Sequence, residues 1–214
     1  MLDFDGVVAQ STNIKYTLLL DAARHVGMTD LDALVTALDS ELNGADRARV
    51  GRWVAEYLHS AAVAESFVDH FTREFAARSQ AIDPITGFSE FVDSMRRNEI
   101  RVCIVSLAPT HEIRTWLSKV VEPDAFVGIF GIEQGPKPQT TRLALARIGT
   151  VDSPVICIGD TPADLAAATG AGCRFIRMRS PVGDRCDWTG KRVPTATSFT
   201  HLRTEFGPEF GSLR

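Results

Sequence analysis

Two short apolar runs constrain the fold most. Val102-Cys103-Ile104-Val105 leads directly into Ser106, and Val155-Ile156-Cys157-Ile158 leads directly into Gly159-Asp160. Runs this short, β-branched and without polar alternation fit strands buried on both faces, which requires a parallel sheet covered by helices. The sequence around them supplies the remaining parts. Helical spacing is expected over residues 89–97, 111–121, 140–148 and 163–168, and further strands over 125–129 and 174–178. Strands alternating with helices give βα units, so the expected class is α/β, a doubly wound, Rossmann-like parallel sheet. A final helix is expected to begin within 197–202.

Residues 14–80 break this alternation. Ile14, Leu18, Ala22 and Val26 repeat at helical spacing, and Gly27 is a natural stop. Asp30 and Asp46 are placed to cap two further helices, and Ser66 with Asp69 resembles a capping box for a fourth. Phe67, Phe71 and Phe75 fall on one face of that fourth helix; with Trp53 and Tyr57 they are the expected core of an all-helical insert. The domain reading is therefore an α/β core of residues 1–13 and 83–214, interrupted by a helical cap of residues 14–82.

Charge and composition exclude several classes of function. The 214 residues carry 23 Lys and Arg against 27 Asp and Glu, a net charge of −4, without a long basic run. Such a chain lacks the electrostatic footprint of a nucleic-acid binder. No apolar run approaches the ~18 residues of a membrane span, and acidic residues at positions 3 and 5 do not fit a signal segment. Cys103, Cys157, Cys173 and Cys186 show no metal-binding spacing and are expected to be reduced thiols, which fits a cytoplasmic protein.

In open α/β sheets ligands bind outside the carboxyl ends of the strands. The polar residues expected there are Asp3 and Asp5 of Asp3-Phe4-Asp5-Gly6, Ser106, and Asp160 and Asp164 of Gly159-Asp160-Thr161-Pro162-Ala163-Asp164; Lys137 lies in a loop before a helix. Asp3, Asp5 and Asp160, with Asp164 in support, form a set of hard oxygen donors suited to Mg²⁺. Asp3 is placed to attack phosphorus, and Asp5, two residues on along an extended segment, to protonate a leaving alcohol and then activate water. Ser106 and Lys137 would hold the phosphoryl oxygens. His111, near a helix start, and Arg47, Arg49 and Arg52, in the insert, are further candidates for substrate contact, although a surface role suits all four.

The order of these motifs, with a helical insert between the first and second, resembles the haloacid dehalogenase-like hydrolase superfamily, in its helical-cap, phosphoglycolate phosphatase-like branch. The resemblance implies Asp3 as nucleophile and metal ligand, and Asp5 as general acid/base that also gives the metal a backbone carbonyl. It implies Ser106 and Lys137 as the phosphate-holding pair, Asp160 as a metal-binding carboxylate and Asp164 as a supporting one. The implied activity is Mg²⁺-dependent hydrolysis of a small phosphorylated metabolite through an aspartyl-phosphate. A sugar-phosphate mutase or a non-catalytic binding protein on the same scaffold is the alternative. Two features depart from the family pattern. Only Met1 and Leu2 precede Asp3 where the family has a full strand, so neighbouring backbone groups are expected to lack partners; and Ser106 is followed by Leu107-Ala108-Pro109 rather than a second small polar residue.

Overall fold

Leu18 and Ala22 are fully buried in helix α1 (Thr12–His25), which ends just before Gly27 at φ +90°. Helix α2 (Leu31–Leu38) begins where the Asp30 carboxylate accepts the Ala33 N–H at 3.1 Å. Asp46 likewise accepts the Ala48 and Arg49 N–H groups, at 2.8 and 2.9 Å, at the head of α3 (Arg47–Tyr57). Both expected caps are in place. The fourth is not: α4 (Val63–Arg78) starts ahead of Ser66, with Ala62 at the cap position and no side-chain cap bond. A turn in which the Val63 N–H donates to Ser60 O, at 3.2 Å, feeds straight into that helix and leaves Ser66 an exposed helical residue. Phe67, Phe71 and Phe75 of α4 are buried, and α4 packs against α1 and α3. Trp53 and Tyr57 depart from the expected core. Tyr57 is 42% exposed, and the two rings stack on each other, 5.4 Å apart, while their polar ends reach Glu41 and Asp30. An indole N–H and a phenol O–H favour a half-wet position in which each finds an acceptor.

The structure is a computed structural model that describes residues 1–149 and 154–211. Its contacts divide the chain into Ser11–Ile82, the helical unit above, and a unit made of Met1–Gln10 with Asp83–Arg214. The latter contains α5 (Phe88–Arg97), β1 (Cys103–Val105), α6 (Thr110–Leu117), β2 (Gly128–Phe130), α7 (Lys137–Ile148), β3 (Ile156–Gly159), α8 (Pro162–Gly170), β4 (Arg174–Met178), β5 (Thr195–Ala196) and α9 (Phe199–Gly211). Several boundaries move from their expected places; α6, expected over 111–121, ends at Leu117, with Ser118 at its cap position. The strand expected over 125–129 begins only at Gly128, because Pro123–Ala125 closes a 3₁₀ turn, and α7 extends forward to take in Lys137 behind Pro136.

β1 pairs with β2, β3 with β4 and β4 with β5, all parallel. Met1 and Leu2 stand between β1 and β3, where Leu2 bridges both Ile104 and Ile158. The Leu2 N–H donates to Cys103 O at 2.8 Å and Leu2 O accepts the Val105 N–H at 2.9 Å. On the other side Met1 O accepts the Ile158 N–H and the Asp3 N–H donates to Ile158 O, both at 2.9 Å. The strand order is therefore β2, β1, residues 1–2, β3, β4, β5. Two residues thus supply both neighbours with partners at the level of the site, where the sequence led us to expect unpaired groups. Ile104, Leu2, Ile158 and Ile176 form one buried row across the sheet. The alternate residues Cys103, Val105, Cys157 and Phe175 join Ala144 and Ile148 of α7 and Ala168 of α8 in a buried cluster. Both sets of side chains are buried, as the uninterrupted apolar runs require.

Candidate active site

The register of the sheet assembles the site. Because Leu2 lies level with Ile104 and Ile158, the chain leaves three adjacent strands at one height, and Asp3, Ser106 and Asp160 follow within two residues of that row. This edge is formed by strand carboxyl ends, where the open α/β architecture binds ligands.

Carboxylate oxygens of Asp3, Asp160 and Asp164 all lie within 4.8 Å of one another. Asp164 arrives through the start of α8, a capping box in which the Thr161 hydroxyl and the Asp164 side chain serve each other's backbone. One of its oxygens, Oδ2, accepts the Asp160 N–H at 3.1 Å, the Thr161 N–H at 2.9 Å and the Thr161 hydroxyl at 2.7 Å. Gly159 makes this fold-back feasible, since a Cβ there would overlap Asp164 Cβ. The other oxygen, Oδ1, forms an ion pair with Lys137 Nζ, which also lies 2.9 Å from Asp3 Oδ1. Lys137 is the first residue of α7, and its carbonyl accepts the Thr140 and Thr141 hydroxyls at 3.0 and 2.7 Å.

The electrostatics follow from burial. Asp3 is pushed up to about 7, mainly by desolvation, against the pull of Lys137 and with a smaller push from Asp164 and Asp5. Burial also holds Asp160 well above the ordinary carboxylate range, reinforced by the charges of Asp164 and Asp3. Desolvation would lower Lys137, but Asp164 and then Asp3 outweigh it and keep the amine firmly protonated. One lysine thus faces three clustered carboxylates. An all-oxygen donor set with excess negative charge in a buried setting fits a hard divalent cation such as Mg²⁺.

The remaining expected residues are placed less tightly. Asp5 does not continue an extended segment: the chain turns back after Asp3, with Asp5 bridging Ala9 and the Gly6 N–H donating to Ala9 O at 2.9 Å. It stays near enough for its charge to act on Asp3. Ser106 is buried at the end of β1, tied by its N–H to Phe130 O at 2.9 Å, and its Oγ accepts the Ala108 N–H at 3.1 Å. His111 is exposed. Within the helical unit, Arg47 Nη1 donates to the Thr72 hydroxyl at 2.9 Å and Arg49 Nη2 to Glu41 O at 2.9 Å, while Arg52 lies beside a surface cavity with Ala55, Glu56 and His59.

Two partners of the cluster escaped the sequence reading. The Ser180 hydroxyl donates to Asp160 Oδ2 at 2.5 Å, and Thr161 anchors Asp164. The rule that singled out Ser106 and Asp160, a polar residue just beyond a buried strand, also applies to Ser180, two residues after β4.

Residues 1–178 match the sequence model of the haloacid dehalogenase-like hydrolases. A predicted phosphoglycolate phosphatase from Haemophilus somnus 129PT superposes with a TM-score of 0.72 at 16% identity, covering 95% of each chain. CbbY from Rhodobacter sphaeroides in complex with phosphate gives 0.70 at 18% identity over 94% of each chain. A HAD hydrolase, family IA, variant 3, from Entamoeba histolytica HM-1:IMSS gives 0.75 at 15% identity, covering 98% of this chain and 96% of that one. No functionally curated protein matches the sequence. No helix among the described residues is long and apolar enough to cross a membrane.

Proposed function

The chain belongs to the haloacid dehalogenase-like hydrolase family, and from that premise we propose that it is a Mg²⁺-dependent phosphomonoesterase acting on a small phosphorylated metabolite through an aspartyl-phosphate. The observation that carries this reading is the single lysine shared between Asp3 and Asp164 inside a three-carboxylate cluster. A bound Mg²⁺, held by Asp3, Asp160 and the Asp5 carbonyl, would supply positive charge that offsets repulsion between the Asp3 carboxylate and a phosphate dianion.

Within this reading the chain's own groups divide the work. Asp3 attacks phosphorus and carries the phosphoryl group. The nucleophile must be ionised, and Lys137 favours that form against burial. Asp5, half-buried and so in reach of water, gives its proton to the leaving alkoxide and then takes one from the attacking water. Ser106 and Lys137 hold the phosphoryl oxygens, and Asp164 fixes Lys137. An acid at position 5 suits an alkoxide leaving group. CbbY has been crystallised with phosphate and, in a mutant form, with xylulose-(1,5)-bisphosphate, and those ligands set the class of compounds to try first.

The test is phosphate release from a panel of phosphomonoesters, with Mg²⁺ and with EDTA, by the wild-type chain and by Asp3→Asn. Metal-dependent turnover that falls by at least ~10³-fold in the variant is the expected result, since the covalent step is lost. Turnover undiminished in Asp3→Asn, or silence across the panel from the folded chain, would refute the reading.

A further inference from the structure

We propose that Ser180 is a positioning residue: it selects which oxygen of Asp160 faces the site and thereby sets the affinity for Mg²⁺. The proposal rests on the reading of Asp160 as a metal-binding carboxylate. Ser180 and Asp160 are 20 residues apart and both buried, 4% and 2% exposed. The serine hydroxyl donates to Asp160 Oδ2 at 2.5 Å, and the same Oγ accepts the Gly183 N–H at 2.8 Å. The hydroxyl's one proton goes to the carboxylate, which when ionised can only accept, while the backbone amide donates to one of the oxygen's two lone pairs.

The loop that carries Ser180 is itself held in place. Gly183 O accepts from Trp188 Nε1 at 2.8 Å and from Arg177 Nη2 at 3.1 Å, and the Arg177 guanidinium lies 4.3 Å from the centre of the Trp188 ring. Asp184 pairs with both Arg177 and Arg179. A side chain at position 183 would collide with Asp160 O, so the loop closes directly against the backbone of Asp160. Asp160 is thus gripped on the Oδ2 side, as Asp164 is gripped on its own Oδ2 by the Thr161 pair. For Asp164 the second oxygen, Oδ1, goes to Lys137; for Asp160 the proposal assigns the second oxygen, Oδ1, to the cation. Partners of this kind orient a ligand carboxylate and tune its metal affinity; losing one typically costs about 10- to 100-fold.

The experiment compares the wild type with Ser180→Ala and Ser180→Thr, the latter retaining the hydroxyl. Mg²⁺ alone is titrated calorimetrically into each full chain, the thermal midpoint is read in EDTA, and turnover of p-nitrophenyl phosphate is followed against Mg²⁺ and against substrate. The expected result is a 10- to 100-fold weaker Mg²⁺ affinity in Ser180→Ala. The Mg²⁺ concentration for half-maximal rate should rise in step, KM at saturating Mg²⁺ should change less than threefold, and Ser180→Thr should recover most of the affinity. Unchanged Mg²⁺ affinity in Ser180→Ala would assign Ser180 a purely structural role and overturn the proposal, whatever the thermal midpoint does. Should Ser180→Ala not fold, Ser180→Thr decides alone: wild-type affinity supports the proposal, and a loss of tenfold or more in a folded protein overturns it. A wild-type chain that neither binds Mg²⁺ nor turns over overturns the parent reading and this proposal with it, a result distinct from failure of the serine variants alone.

Discussion

Gly159 shows how much of the site depends on the absence of one atom group. The Asp164 side chain folds back over the end of β3 into the space a Cβ at position 159 would need, and there it meets the Asp160 and Thr161 amides and Lys137. Gly159→Ala forces Asp164 outward, breaks the capping box of α8 and separates Lys137 from one of its two carboxylates. Overpacking of this kind costs about 1–3 kcal/mol. The expected outcome is a drop of that size in denaturant unfolding, together with a fall in kcat larger than the rise in KM. Gly159, Asp160 and Asp164 were legible in the sequence because they follow a buried apolar run without interruption. Ser180 carries the same strand-end signal after β4, but its pairing with Asp160, 20 residues earlier, is not legible from local spacing. Asp184 likewise pairs with both Arg177 and Arg179. Long-range pairing leaves no trace in local spacing.

Among the elements, a short-range cap signal places two helices of the helical unit correctly and misplaces the start of a third. Asp30 and Asp46 cap their helices because a cap contact spans only two or three residues. Ser66 carried a similar signal and lost to the turn ahead of α4, which supplies its own backbone bonds. The helical unit also holds a contact no periodicity reveals: His25 at the end of α1 and His70 in α4 stack with ring centres 4.1 Å apart. Arg73 Nη2 lies 3.0 Å from His70 Nδ1, an arrangement that suits a neutral ring accepting at that nitrogen. Burial, then the His25 and Arg73 charges, lower the His70 pKa, against weaker opposition from Glu74 and Asp21. The folded state therefore binds fewer protons here than the unfolded chain. This contribution to stability is complete above the unfolded value of about 6.5 and is lost as pH falls through the lower folded value. The thermal midpoint of the wild type should decline more between pH 7.5 and 5 than that of His70→Gln. Because the pair is largely solvated, the difference should stay below about 1 kcal/mol.

At the scale of the whole molecule, the alternation of buried strands and helices was visible because each strand is apolar on both faces, whereas the link between β1 and β3 was not. Met1 and Leu2 are too short to register as a strand, yet they bond to both neighbours and bring Asp3 level with the ends of β1 and β3. That same convergence concentrates negative charge. A chain whose net charge is only −4 gathers three carboxylates around one lysine in a buried place. Burial and mutual repulsion lift Asp160 well above its ordinary range, so without a cation the site opposes the fold that builds it. Asp160→Asn keeps the shape and an acceptor for the Ser180 hydroxyl while removing the charge. In EDTA this variant should be more stable than the wild type, by about 1 kcal/mol, within the range typical of substitutions that relieve a strained functional site. Added Mg²⁺ should reverse the order. The wild type gains stability with the logarithm of cation concentration, about 2.7 kcal/mol at one hundred times the dissociation constant, and the variant gains much less. Unfolding curves of both proteins, with EDTA and across a Mg²⁺ series, check the crossing. Parallel curves at every Mg²⁺ concentration would mean that Asp160 is not where the cation acts.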